Sequence, residues 1–302
     1  MIVGAEHLNK WYGRVIALND VSLSIGPGIT GLLGPNGAGK TSFMRILIGL
    51  MRESSGTIQV LGESPWNNPK LSVRIGYCPE HDGFYEGMTG TQFVSALARI
   101  RGVKDVAAAA RRAIEWVRMG EAADRKILTY SRGMRQRIKL AQAVAHRPEL
   151  LILDEPLTGS DPLVRQELIG LIKTFAQEGG SVIVSSHVLH EIEQLTKRIA
   201  LIHRGRLVAE GDVRQIRDLI DHHPHTVELK AERPRELAAA LAREPEVVEL
   251  RLDNGTIWVR TPKPDDFYAK LPRIALGAEA GLKEISSPDD NLEAVFRYLT
   301  EE

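Results

Sequence analysis

Eight consecutive residues, Gly34-Pro35-Asn36-Gly37-Ala38-Gly39-Lys40-Thr41, have the types and spacing of a phosphate-binding loop: Gly, four residues, then Gly-Lys-Thr. Glycines at 34, 37 and 39 let the backbone turn several N–H groups toward one anion. Lys40 then reaches the outer phosphates of a nucleotide, the Thr41 hydroxyl holds Mg²⁺, and Ser42 follows in the same turn. A second stretch, Leu150-Leu151-Ile152-Leu153-Asp154-Glu155, delivers two carboxylates at the end of an apolar run. Asp154 is placed to bind Mg²⁺, directly or through water, and Glu155 to polarise an attacking water as general base. Alone, Asp-Glu after a hydrophobic run says little; with the phosphate loop upstream it completes an ATPase.

These residues need elements to position them. Ile29–Leu33 reads as a short strand entering the loop, and 41–50 as the helix leaving it, whose N-terminal partial positive charge also favours phosphate. Leu150–Leu153 has the continuous apolar character of a strand buried on both faces, with its ligands at the C-terminal end. Residues 2–8 read as an edge strand, 15–25 as strand with a turn near Asn19-Asp20, and 56–61 and 72–78 as further strands. Helices are expected over 90–102, 105–119, 134–146 and 213–220. Asp161-Pro162 supplies an N-cap and a first-turn proline for another. Ser181–Ser185 is a buried-type strand, and 199–203 with 207–210 forms a hairpin around Arg204-Gly205-Arg206. Tyr12 is either a platform on which a purine stacks or a rim tyrosine. Phe84, Tyr85 and Met88 place apolar side chains on a loop, as satellite core or as a grip for a partner.

Just before the second carboxylate stretch stands Tyr130-Ser131-Arg132-Gly133-Met134-Arg135-Gln136-Arg137. This resembles the signature motif of ATP-binding cassette (ABC) ATPases, usually Leu-Ser-Gly-Gly-Gln. Ser131 and Gly133 match it; Tyr130, Arg132 and Met134 depart. The form is similar to that of an export branch of the family. The resemblance covers about residues 2–220. It implies an α/β cassette with a mixed sheet core, an antiparallel β subdomain and a helical subdomain, binding ATP and Mg²⁺. It also implies that Ser131, Arg132 and Gly133 meet the γ-phosphate held by a second cassette, so that a dimer, a homodimer by simplest expectation, is required. Tyr12 matches the aromatic that stacks on adenine, Asp161 the loop that crosses the dimer interface, and His187 the switch histidine at the γ-phosphate. Glu80 stands where the family usually has glutamine, at the metal or its water and near the membrane partner. The resemblance finally implies ATP hydrolysis coupled to a separate transmembrane permease, with the chain peripheral on the cytoplasmic side.

Composition is consistent with this. With 302 residues, two domains are the prior. Lys plus Arg and Asp plus Glu are both 39, a net charge of +0 that gives no general pull toward nucleic acid or anionic lipid. No nucleic-acid partner is expected. The single cysteine, Cys78, excludes an internal disulfide and reads as a small core hydrophobe in a strand. No window reaches the roughly 20 apolar residues of a membrane span, and the first ten residues show no secretory signal. A soluble ABC ATPase of translation or DNA fits less well, because only one cassette is present and the gap from loop to signature is short. A regulatory cassette with little turnover is favoured only by Glu80 and opposed by Lys40, Asp154, Glu155 and His187.

Composition shifts at 221–225, where His222, His223 and His225 read as a solvated linker better than as a metal site. Beyond it, strand 226–232, helix 234–243, strand 246–252, an Asn254-Gly255 turn, strand 256–261, helix 264–276 and strand 281–286 give βαββαβ, the ferredoxin-like order. A closing helix is expected at 290–299. This small α+β domain, 226–302, carries no reactive centre and reads as regulatory or dimerising.

Overall fold

The computed structural model describes residues 1–213 and 224–287. The chain divides into two compact units, Met1–Val213 and Arg214–Glu302. The helix expected over 213–220 lies outside the described residues after Val213. The expected linker lies outside them except for Pro224, which is described, and His225, which opens a strand. The closing helix at 290–299 also lies outside them.

The first unit begins with β1 (Val3–Tyr12) and β2 (Val15–Ile25), continues through β3 (Ile29–Leu33) into α1 (Lys40–Leu47), and returns as β4 (Ser55–Val60). Strands β2-β1-β4 form a three-stranded antiparallel sheet. The expected edge strand is therefore the middle one, and it extends to Tyr12. Val3 and Ala5 alternate on one buried face, which Leu8 rejoins past an irregularity where His7 adopts φ 49°, but this pattern cannot show that β4, far along the chain, takes the other edge. The turn expected at Asn19-Asp20 is instead an irregularity inside β2, where Asp20 adopts φ 56°.

Next come α2 (Pro69–Ser72) and β5 (Ile75–Cys78). The strand expected from Ser72 starts three residues later because Asn68 accepts a hydrogen bond from Leu71 N at 3.0 Å and starts a helical turn with Pro69 in its first position. Helices α3 (Gly90–Ile100) and α4 (Val106–Trp116) pack together and on α5 (Arg132–Val144) as the helical subdomain. Thr89 and Gln92 close a reciprocal capping box on α3, and Asp105 caps α4.

The chain then runs β6 (Leu150–Leu153), α6 (Pro162–Gln177), β7 (Ser181–Ser186), the short α7 (Leu189–Glu193), β8 (Arg198–His203) and β9 (Arg206–Asp212). The six-stranded sheet has the order β5-β6-β7-β3-β8-β9 and is parallel except for β9. All four residues of β6 and all six of β7 are buried, as expected for strands covered on both faces. One core joins the two sheets through α1: Leu8 and Leu18 from the small sheet, Phe43, Met44 and Leu47 from the helix, and Ile152, Ile183 and Ile202 from the large sheet.

In the second unit, β10 (His225–Ala231), β11 (Glu249–Asp253), β12 (Thr256–Thr261) and β13 (Leu282–Ser286) pair antiparallel in the order β11-β12-β10-β13. With helices Pro234–Leu241 and Pro264–Gly277, this is the split βαβ arrangement. Asn254 and Gly255 both have positive φ, 49° and 84°, as a tight hairpin turn requires. The unit has its own core, in which Phe267, Leu271, Val227, Leu229 and Val259 are buried.

Because each unit has a separate core, Phe267→Ala is expected to destabilise the second one by about 3–5 kcal/mol. Segment-resolved hydrogen exchange should show β10 and β12 losing protection while β3 and β6 keep theirs. Equal loss in both units would contradict two independent cores.

Candidate functional site

The site forms where the C-terminal ends of β3, β6 and β7 lie side by side. After β3 the backbone turns through Gly37 at φ 79° and Gly39 at φ 109°. A Cβ at Gly39 would lie 2.4 Å from Ala17 O, and one at Gly34 would lie 2.3 Å from Ile202 O, so the loop's close approach to its neighbours requires glycine at both positions. No side chain caps α1, which leaves the donors of its first turn directed at the loop's interior.

Lys40 is 6% exposed. Its ammonium donates to Gly34 O at 2.6 Å and Pro35 O at 3.3 Å, and lies 3.4 Å from Glu155 Oε1. Glu155, 5% exposed, sits at φ 49°, a strained conformation for a residue with a side chain. Its Oε2 is taken by Thr158 Oγ1 at 2.9 Å and by His187 Nδ1 at 3.0 Å. Its Oε1 has no hydrogen bond; Lys40 stands at ion-pair distance without hydrogen-bond alignment.

Asp154 is 1% exposed. One carboxylate oxygen, Oδ1, accepts from Ser185 Oγ at 2.7 Å, and the other, Oδ2, has no partner. The same Ser185 oxygen accepts from Glu155 N at 2.9 Å. Ser185 thus orients both carboxylate residues from the neighbouring strand. Sequence reasoning did not single it out: a serine at the end of a buried strand is an ordinary residue until its neighbours are known.

A cleft of about 400 Å³ is lined by Tyr12, Ile16, the loop from Asn36 to Ser42, Glu80 and Glu155. Tyr12 donates to Met51 Sδ at 2.6 Å and lies 3.3 Å from Ser42 Oγ, so its ring is held at the mouth of the cleft beside α1. A second cleft of about 360 Å³ shares Glu80 and Glu155 with the first and adds Arg132, Arg135 and Thr158. Tyr12, Pro35, Asn36, Gly37, Ala38, Gly39, Lys40, Thr41, Ser42, Glu80, Asp154, Glu155 and His187 therefore gather on one edge of the sheet.

Ser131, Arg132 and Gly133 do not line the first cleft. Ser131 caps α5, accepting from Met134 N at 3.3 Å. A Cβ at Gly133 would meet Val164 Cγ2 at 2.9 Å, so α5 starts tight against α6. Asp161 is exposed and caps α6, accepting from Val164 N at 3.0 Å. Tyr130 is buried, and its hydroxyl donates to Ala123 O at 3.0 Å and accepts from Gly90 N at 3.2 Å. The departure from leucine at this position thus ties the helical subdomain together. Burial pushes the Cys78 thiol up to about 12, which leaves it an inert core residue.

A divalent cation fits these residues. Asp154 Oδ2 is a buried anionic oxygen with nothing to satisfy it. Among the described residues no three His, Cys, Asp or Glu side chains form a self-sufficient metal cage. That is the donor set Mg²⁺ tolerates, since it takes one or two carboxylates and completes its shell with phosphate and water.

A sequence model described as ABC transporter matches residues 18–158. The chain is 32% identical over 305 residues to a Nod factor export ATP-binding protein I of Cupriavidus metallidurans, spanning 99% of this chain and 97% of that protein. It is 37% identical over 304 residues to the bacitracin transport ATP-binding protein BcrA of Enterococcus faecalis, spanning 99% and 96%. A solved ATP-binding subunit of an ABC transporter superposes with a TM-score of 0.66 at 26% identity, over 73% of this chain and 93% of its own.

Ser185→Ala takes the hydrogen-bond partner from Asp154 Oδ1 and from the Glu155 amide. The variant is expected to lose about 1–3 kcal/mol of stability in urea unfolding and to turn over more slowly. Wild-type stability and rate together would show that Ser185 orients neither residue.

Proposed function

The chain belongs to the ABC transporter family as an ATP-binding subunit that hydrolyses ATP, and from that footing we propose how its residues divide the work and what the hydrolysis drives. ATP lies in the first cleft with its base on Tyr12 and its phosphates against the N–H groups of Gly34 to Ser42. Lys40 turns from the carbonyls of Gly34 and Pro35 to the β- and γ-phosphates, a stronger charge-assisted partner than neutral carbonyls. That move takes the ammonium away from Glu155 Oε1, which then has neither hydrogen bond nor ion pair and accepts from a water. Asp154, Thr41 and Glu80 hold Mg²⁺, whose charge offsets that building on the phosphate oxygens. Glu155 takes a proton from the water as its oxygen attacks phosphorus and ADP leaves. Thr158 and His187 fix the carboxylate through Oε2, so Oε1 keeps its aim. His187 also faces the γ-phosphate.

The observation that carries this reading is the buried carboxylate of Glu155, held on one oxygen by Thr158 and His187 and free to act on the other beside Lys40. Ser131 and Asp161 are exposed and neither they nor Gly133 line the first cleft, which supports their serving a second cassette; Arg132, exposed and lining the second cleft, is assigned to the same role. Two copies then close over two nucleotides and reopen after hydrolysis. The likeness over nearly full length to export and transport subunits supports coupling to a separate permease, with cargo moving outward and this chain peripheral on the cytoplasmic side. Among the described residues no helix is long and apolar enough to cross a membrane, so the spanning part is assigned to that partner. The second unit is assigned a regulatory or dimerising role within residues 226–302, with the cassette at 1–220 and the linker at 221–225.

Glu155→Gln is expected to keep ATP affinity while slowing phosphate release by about 10²–10⁴-fold. It should also trap an ATP-dependent dimer that recovers a stoichiometric polytopic membrane protein from detergent-solubilised membranes. Normal turnover removes Glu155 as the base, and capture of soluble partners alone refutes the transporter role. Ser131→Arg is expected to bind nucleotide yet stay monomeric in light scattering; a normal ATP-dependent dimer would contradict the shared site.

A further inference from the structure

Helix α5 presents a polar stripe to the edge strand of the large sheet. Arg135, Lys139 and Gln142 recur at spacings of four and three, which keeps them on one face of α5, and His146 follows in the turn just after the helix. His146 Nε2 lies 3.1 Å from Ile75 O, and Gln142 Nε2 donates to Tyr77 O at 2.7 Å. These are carbonyls on the outer side of β5, the strand that ends the sheet, so α5 does the work a further strand would do. The fit is close, since a Cβ at Gly76 would lie 2.2 Å from Ala143 O.

The stripe continues past the strand onto the loop that carries Glu80. Lys139 is 3% exposed. Its ammonium donates to Pro79 O at 3.2 Å and Glu80 O at 2.8 Å, and forms an ion pair with Asp82 Oδ1 at 3.2 Å. One turn earlier, Arg135 lies 3.4 Å from Asp82 Oδ2 and 3.7 Å from Glu86 Oε1. Glu80 itself is exposed and lines both clefts. Its backbone is therefore fixed not by neighbours in the loop but by a buried cation on α5.

We infer that Lys139 is the positioning residue for Glu80, and that through it the Glu80 loop and the Ser131–Gly133 end of the same helix move as one body. The consequence rests on the proposed reading of Glu80 as a contact of the metal or its water. A shift of α5 that brings Ser131 toward a neighbouring cassette's nucleotide also resets Glu80 in its own site. Lys139 acts only through that backbone; it touches no reacting atom.

The test is a cycle of four full-length proteins: wild type, Lys139→Met, Glu80→Ala and the double variant. Each is measured for kcat at saturating ATP, for the Mg²⁺ concentration giving half-maximal turnover, and for thermal midpoint. Lys139→Met is expected to raise the half-maximal Mg²⁺ and lower kcat by about 10-fold, the low end for losing a residue that orients a ligand. Lys139→Arg, which keeps the donors, should restore most of both. In the Glu80→Ala background, Lys139→Met should add less than about 2-fold, since residues acting through one group are not additive. Full additivity, or wild-type Mg²⁺ dependence in Lys139→Met, overturns the inference while leaving the Glu80 reading intact. A silent Glu80→Ala overturns the Glu80 reading, and the inference with it. If Lys139→Met does not fold, Asp82→Asn removes one of the three tethers from an exposed position. It is expected to shift Mg²⁺ dependence in the same direction by about 2–3-fold, and no shift counts against the inference.

Discussion

The structure depends on a buried ion pair whose partners arrive from distant parts of the chain. Lys40 follows β3 and Glu155 follows β6, and their charged atoms stand 3.4 Å apart with both side chains almost fully buried. Neither charge tolerates that burial alone, because removing one partner leaves an uncompensated ion, typically at a cost of 3–5 kcal/mol. The pair is possible because β7 lies between β3 and β6 and all three run parallel, so their C-terminal ends reach one edge together. Ser185, at the end of that middle strand, joins the two sides: it holds Asp154 with its proton and the Glu155 amide with its oxygen. Sheet order is thus the condition for the chemistry.

The departures from the usual signature and glutamine positions acquire reasons in this setting. Tyr130 uses its hydroxyl to bridge Gly90 and Ala123, a junction that leucine could fill but not hydrogen-bond. Arg132 crowds Gly159, where even a Cβ would meet its guanidinium, so the helix start and the loop after Glu155 constrain each other. Glu80 adds a carboxylate near Glu155, but the local charge is not left unbalanced. Asp82 and Glu86 on the same loop are already engaged by Arg135, and Lys139 adds a further cation at the Glu80 carbonyl.

Much of the fold, and the gathering of the glycine-rich loop and the Asp154-Glu155 pair at one cleft, was legible in the sequence because the responsible signals are local. Gly-rich spacing, the Leu150–Leu153 run and the Asp161-Pro162 cap each specify a conformation within a few residues. The Asn254-Gly255 hairpin is of the same kind. What escaped depended on tertiary pairing. Residues 2–8 show only which face is buried, not that both edges are paired. Ser72 has strand-like neighbours, but the Asn68 cap recruits it to a helical turn. Ser185 and Lys139 look like any serine in a strand and any lysine in a helix. Their meaning lies in atoms more than thirty residues away for Ser185 and nearly sixty for Lys139.

The unsatisfied atoms complete the physical picture. Asp154 Oδ2 and Glu155 Oε1 are buried oxygens without hydrogen bonds, and Glu155 also carries a left-handed backbone. A buried acceptor left without a hydrogen bond costs about 1–3 kcal/mol, a cost the Lys40 ion pair offsets at Glu155 but nothing among the described residues offsets at Asp154, and the backbone adds a similar amount. A chain selected for stability alone would remove such features with small changes: a glycine at 155, an asparagine at 154 able to pair differently. They persist beside a cleft where the start of α1 carries no side-chain cap and a lysine is held by neutral carbonyls. The uncapped helix start with its lysine and the unbonded acceptors thus stand on opposite sides of one space. A phosphate group alone satisfies the first set and not the second. Phosphate with a cation and an ordered water would satisfy both, so on the proposed reading the strain of the free protein is the counterpart of what that ligand supplies.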